Sequence, residues 1–183
     1  MSRRLFVLEL MPKGSTCAEI GVWQGDFSKT ILKVTKPKEL HLIDPWTYEP
    51  NYPKMFLWGF KEGGTQGKMD EMYNSVVSKF KDKKNVVIHR GNSQNVMREF
   101  TNNFFDWVYI DDNHRYEFVK NDLIKSFYKV KNSGFISGDD YDWGNDDVSQ
   151  NKHVKDAVDE FITEFSVEKV VVKNSQYILK VVK

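Results

Sequence analysis

Cysteine is nearly absent. The 183-residue chain has one, Cys17, so no internal disulfide holds it together and an apolar core must. Cys17 sits inside a short apolar run, where a thiol packs as a small apolar side chain. No apolar run approaches the ~18 residues of a membrane span. The start, Met1-Ser2-Arg3-Arg4-Leu5, lacks the apolar stretch and small-residue cleavage site of a secretion signal. Neither sign of charge is in excess: 27 basic residues against 26 acidic ones leave +1. That offers no basic field for nucleic acid, and the lysines from Lys79 to Lys84 read as a solvated helix end. Repeats and low-complexity linkers are missing too. The expectation is one soluble, cytoplasmic domain over residues 1–183, with no membrane or nucleic-acid partner.

What is present is an alternation. Residues 3–11 have helical spacing, ended by Pro12 and Gly14. An apolar strand over 16–20 then runs into Glu19-Ile20-Gly21-Val22-Trp23-Gln24-Gly25-Asp26, a tight glycine turn that opens a helix over 26–34. Strands follow at 39–44, 86–90, 105–111 and 134–138, with helices at 69–80, from Ser93 to Phe100, at 116–130 and at 154–165. Runs at 167–172 and 177–182 flank Asn174-Ser175 as a closing hairpin. Alternating strands and helices imply a parallel sheet with right-handed crossovers, and the hairpin adds antiparallel strands. Residues 45–68 break the pattern, with Trp46, Tyr48, Tyr52, Phe56, Trp58 and Phe60 among prolines and glycines. They read as a long loop, a lid over a ligand or else a satellite core or dimer contact.

Ligands of such sheets bind beyond the carboxyl ends of the strands. Glu19, Asp44, Asn92, Asp111, Asp139 and Asp140 all fall at or just past those ends. The spacing Glu-x-Gly-x-x-x-Gly differs from a dinucleotide fingerprint, and a carboxylate before the first glycine would repel a pyrophosphate. It would attract a ligand carrying an ammonium and a sulfonium, which describes S-adenosylmethionine. Asp44 lies at about the distance beyond the turn expected of a carboxylate that binds ribose hydroxyls.

The segments Glu19 to Gly25, Ile43-Asp44, Phe105 to His114 and Gly134 to Tyr141 together resemble class I S-adenosylmethionine-dependent methyltransferases. Within them the chain is similar to the small-molecule O-methyltransferases related to macrocin O-methyltransferase. The resemblance implies a Rossmann-like α/β fold with helices on both faces of a seven-stranded mixed sheet, order 3-2-1-4-5-7-6. It implies that Gly21, Val22, Trp23 and Gly25 line the methionine part of the cofactor, that Glu19 faces its charged end, and that Asp44 holds both ribose hydroxyls. Asn92 and Ser93 would lie near the adenine, Trp46 would pack against it, and Asp111 would border the cofactor.

Asp111, Asp139 and Asp140 also resemble the metal ligands of catechol-type O-methyltransferases, a hard oxygen set suited to Mg²⁺. There a lysine takes the acceptor's proton. Here that place holds His114, a residue type that titrates near pH ~6.5 and serves as a general base. The expected reaction is Mg²⁺-dependent O-methylation of a small hydroxylated acceptor (sugar, aromatic diol or natural product), catalysed through His114 and Asp111, with a homodimer as one way to cover the site. Plainer readings stay open. Asp139-Asp140 suits a turn or helix cap, His114 a loop hydrogen bond, and Glu19 a strand-end charge. Asp142, Asp146 and Asp147 read as a solvated acidic loop. Metal-free methyl transfer and a cofactor-binding module without catalysis are the rival functions, and a nicotinamide dehydrogenase is the weakest.

Overall fold

The computed structural model describes residues 4–49, 64–143 and 153–183. Their order is α1 (Leu5–Leu10), β1 (Thr16–Ile20), α2 (Asp26–Thr35), β2 (Glu39–Asp44), α3 (Gln66–Phe80), β3 (Val86–Arg90), α4 (Ser93–Glu99), β4 (Phe105–Ile110), α5 (Tyr116–Lys129), β5 (Val130–Gly138), α6 (His153–Glu164), β6 (Val167–Lys173) and β7 (Gln176–Val181). They form one seven-stranded sheet in the order β3-β2-β1-β4-β5-β7-β6. The first five strands are parallel, and β7 runs antiparallel to both β5 and β6. This is the Rossmann-like methyltransferase order expected from the resemblance.

Strand periodicity sorts the core into two layers. Ala18 and Ile20 of β1, with Val108 and Ile110 of β4, face the apolar sides of α5 and α6. Cys17, Leu40, Leu42, Trp107 and Tyr109 point the other way, to residues of α1, α2 and α3. Glu19 shares the parity of Cys17, so its carboxyl enters the α2 side and not the solvent.

Two boundaries and one side chain differ from the sequence reading. α3 begins at Gln66, because Thr65 caps it by accepting from the Lys68 N–H at 3.3 Å, so the end of the supposed loop is helical. β5 begins at Val130, directly after α5, and a register shift against β4 between Phe105 and Trp107 absorbs the irregular start. Trp46 is 1 % exposed, packed against Tyr73 with its indole N–H donated to the Trp23 carbonyl, so it is core and not cover. Tyr48, half-buried, donates its backbone N–H to Gln66 Oε1 at 2.9 Å, and the remaining aromatics of the proposed lid, with Asp146 and Asp147, lie outside the described residues. No helix among the described residues is long and apolar enough to cross a membrane.

Candidate active site

The strand ends of β1, β2, β4 and β5 open into a cavity of about 530 Å³. Arg4, Glu19, Gly21, Val22, Trp23, Asp44, Asn92, Asp111, His114 and Asp140 are among its lining residues. Three strand spacings separate β2 from β5, about 14 Å, which is room for an elongated cofactor with an acceptor beside one end.

The turn after β1 is built around a carboxylate. Asp44, at the end of β2, accepts the N–H groups of Val22 and Trp23 through Oδ2, both at 2.9 Å, and that of Trp46 through Oδ1 at 2.7 Å. Burial pushes its pKa up, and these three backbone donors pull the other way. Asp44 thus clamps the turn while it lines the cavity. Gly21 and Gly25 have φ of +84° and +74°, and non-glycine Trp23 also sits at +55°, so three alternate positions of the turn are left-handed. The space beside each glycine is filled by protein. A Cβ on Gly21 would overlap the Asp111 carbonyl, and one on Gly25 would lie 2.9 Å from the Phe80 ring. Gly25 caps α2 and does not line the cavity.

Glu19 lines the cavity floor at 1 % exposure, and its Oε2 accepts from the Ser28 hydroxyl at 2.5 Å. Burial pushes its pKa up to about 8, against the pull of that hydrogen bond. A carboxyl so placed is largely protonated at pH 7, and a cation brought beside it would favour its ionisation. Asn92 borders the cavity and caps α4 through the Gln94 N–H, whereas Ser93 is turned inward to Asp122 at 2.6 Å.

At the other end, Asp111, His114 and Asp140 each offer one ligand atom, all within 4.8 Å of one another. His114 Nε2 is 2.8 Å from Asp140 Oδ2 and 4.0 Å from Asp111 Oδ1, and the Trp143 ring packs on the imidazole at 5.2 Å. Asp140 reaches this position from a left-handed backbone, φ +55°. Burial pushes the Asp111 carboxyl up to about 7, with Arg4 opposing the shift and Asp139 adding to it. Asp139 is turned away from this trio. Its Oδ2 pairs with Arg4, and its Oδ1 accepts from Gln176 and from the Asp140 N–H.

Sequence reasoning missed Arg4, Ser28 and Asp112. Asp112 lines the cavity, and its carboxyl is driven well above the usual range by burial and by Asp122, Asp44 and Asp111. Ser28 was within reach of inspection, being an inward position in the first turn of α2. Arg4 had no local signal, since its partners lie at the ends of β4 and β5.

A family model described as a methyltransferase domain matches residues 18–141, which hold both halves of this cavity. No curated protein matches the chain. Among solved structures, the O-methyltransferase NovP superposes with a TM-score of 0.65 at 17 % identity, covering 99 % of this chain and 80 % of its own. SMU.1697c from Streptococcus mutans, in complex with SAH, gives 0.59 at 12 % identity, covering 98 % and 93 %. The N-methyltransferase NodS from Bradyrhizobium japonicum WM9 gives 0.60 at 12 %, with the same coverages. At these identities the likeness is one of fold.

Proposed function

The chain belongs to the methyltransferase-domain family, of class I and dependent on S-adenosylmethionine, and we propose that it methylates a hydroxyl of a small molecule. The observation that carries the choice of oxygen is His114, held by Asp140 at 2.8 Å inside the cavity beside Asp111. With Nε2–H donated to Asp140, His114 Nδ1 keeps the lone pair that receives the acceptor's proton. Asp140 then fixes the ring and stabilises the imidazolium that forms. As the acceptor oxygen bonds to the methyl carbon, the sulfur–carbon bond breaks and its electrons stay on sulfur. The chain's work is alignment, chiefly by the turn that Asp44 clamps.

In the same reading Mg²⁺ joins the acceptor end. The carboxylates of Asp111 and Asp140, each with an oxygen within 4.8 Å of the other, would hold such a divalent ion, with His114 beside them as the base and not a ligand. When bound, the ion supplies positive charge that favours ionisation of an acceptor hydroxyl. A metal-free reaction is the second reading, favoured by the guanidinium of Arg4 already paired to Asp111 and Asp139.

The test is methyl transfer from S-adenosylmethionine to a panel of sugars, aromatic diols and polyketide-type alcohols, with EDTA and then with Mg²⁺ or Mn²⁺ restored. Turnover that EDTA stops and Mg²⁺ restores supports the metal reading. Turnover indifferent to EDTA assigns the chemistry to His114 and Asp140 without a metal. Transfer only to amines would overturn O-methylation.

A further inference from the structure

The carboxylates at the ends of β4 and β5 already have a cation. Arg4 precedes α1, with Nη1 2.7 Å from Asp111 Oδ2 and Nη2 paired to Asp139 Oδ2. A guanidinium bridging two carboxylates makes charge-assisted bonds with both ends of its fork. Asp139 has little else to offer a ligand, because its Oδ1 accepts from Gln176 and from the Asp140 N–H. Any ion that Asp139 helps to hold must therefore take Oδ2, where Arg4 is. The side chain is also kept there by packing. Its guanidinium lies over the Phe27 ring, 5.2 Å from the centroid, and the following helix buries Val7 and Leu8 in the core.

We infer that Arg4 is the resident counter-cation of this cluster, and that a divalent ion held by Asp111 competes with its guanidinium for that shared carboxylate. The inference rests on the reading above, that these acids accept a divalent ion at all. Two like-charged groups sharing Asp111 across a few ångströms repel strongly where water is scarce. By linkage, whatever Arg4 removes from metal affinity, the metal removes from Arg4's hold on the two carboxylates. Only the side chain has to swing, since Val7 and Leu8 anchor the helix itself. Without metal, Arg4 is a positioning residue that turns Asp111 Oδ1 toward His114.

The experiment is calorimetric titration of the full chain with Mn²⁺, without cofactor, for wild type, Arg4→Gln and Arg4→Lys. Arg4→Gln should bind Mn²⁺ at least tenfold more tightly than wild type. Arg4→Lys, which keeps the charge but cannot bridge both acids, should fall between. Binding by Arg4→Gln alone would also support the inference and make the native enzyme metal-free. Equal affinity in wild type and Arg4→Gln overturns the competition yet leaves the metal reading intact. Absence of Mn²⁺ binding in all three overturns both. Should Arg4→Gln fail to fold, wild type with ¹⁵N-labelled arginine decides. Mg²⁺ must shift the Arg4 side-chain resonance, and an unmoved line at saturation overturns the inference.

Discussion

Glu19→Gln isolates one buried charge while keeping its shape and an acceptor for Ser28. The carboxyl is 1 % exposed, and burial lifts its pKa from 4.5 to about 8. The folded state therefore prefers the protonated form. Its contribution to stability is complete below pH 4.5 and is lost as pH rises through about 8. Across that interval, at ~1.4 kcal/mol per pH unit, the loss is about 5 kcal/mol. Asp111, Asp112, Asp122 and Asp44 are raised as well, so the wild-type profile alone does not identify Glu19. The difference between wild type and Glu19→Gln does. Urea unfolding from pH 5 to pH 9 should show Glu19→Gln gaining on wild type by several kcal/mol, mostly before pH 8. Cofactor binding should show the mirror effect. A ligand cation ionises Glu19, so wild-type affinity should rise with pH by up to tenfold per unit below about 8, with proton release. Glu19→Gln should bind more weakly with a flatter profile. Parallel stability profiles for the two proteins would refute the burial of an ionisable Glu19 as the source of this linkage.

Asp44→Ala removes the acceptor of three backbone N–H groups, and calorimetry should show cofactor affinity lower by about 1–3 kcal/mol, with a lower Tm as the turn loosens. Equal affinity would remove Asp44 from the site. His114→Ala should slow methyl transfer by ~10²–10⁴-fold while cofactor binding stays within twofold, as steady-state kinetics and calorimetry together would report. Gly21→Ala should cost ~3 kcal/mol or more, lowering Tm by ~6 °C or more, because its Cβ overlaps the Asp111 carbonyl. Gly14→Ala is the control, with φ +64° and no atom within 4 Å of the added carbon, and should cost only ~1 kcal/mol. Similar melting of the two variants would show that the close approach of the β1 and β4 loops is not what requires Gly21.

The sheet was legible because each of the first five strands is a short apolar run closed by a carboxylate, glycine or proline. The hairpin was legible because Asn174 and Ser175 accept φ of +54° and +61°, the left-handed pair its tight turn needs. The start of β5 was not. Helix passes to strand at Lys129–Val130 with no breaker between them, while Gly134, read as the opening, lies inside the strand where a Cβ would press on the Asp106 carbonyl. Glu19, Asp44, Asp111, His114 and Asp140 were legible as cavity residues because strand ends gather on one edge of a parallel sheet. Trp46 was placed with the cofactor because nothing local distinguishes a buried tryptophan from a lining one. Its place is set by Tyr73 and the Trp23 carbonyl, both tertiary partners. Arg4 and Asp139 illustrate the same limit for charge: spacing brought the carboxylates together but could not show which of their oxygens were taken.

The two halves of the cavity depend on the sequence in different ways. Around β1 and β2 the site is mostly backbone, two turn amides clamped on Asp44 and glycines packed against protein. A half built from backbone places few demands on side-chain identity beyond Asp44 and the glycines. Around β4 and β5 the site is side chains: Asp111, His114, Asp140 and Arg4. NovP is an O-methyltransferase and NodS an N-methyltransferase on the same scaffold, so the fold does not choose the acceptor atom. Oxygen and nitrogen make different demands there. A hydroxyl must lose its proton as it attacks, which calls for a base and a nearby cation, whereas a neutral amine needs only to be held. In the function proposed for this chain, the His114–Asp140 pair would supply the base, and Arg4 or a divalent ion the cation. On that proposal the choice of acceptor is made at the β4–β5 edge, and the cation that occupies it is the quantity to measure.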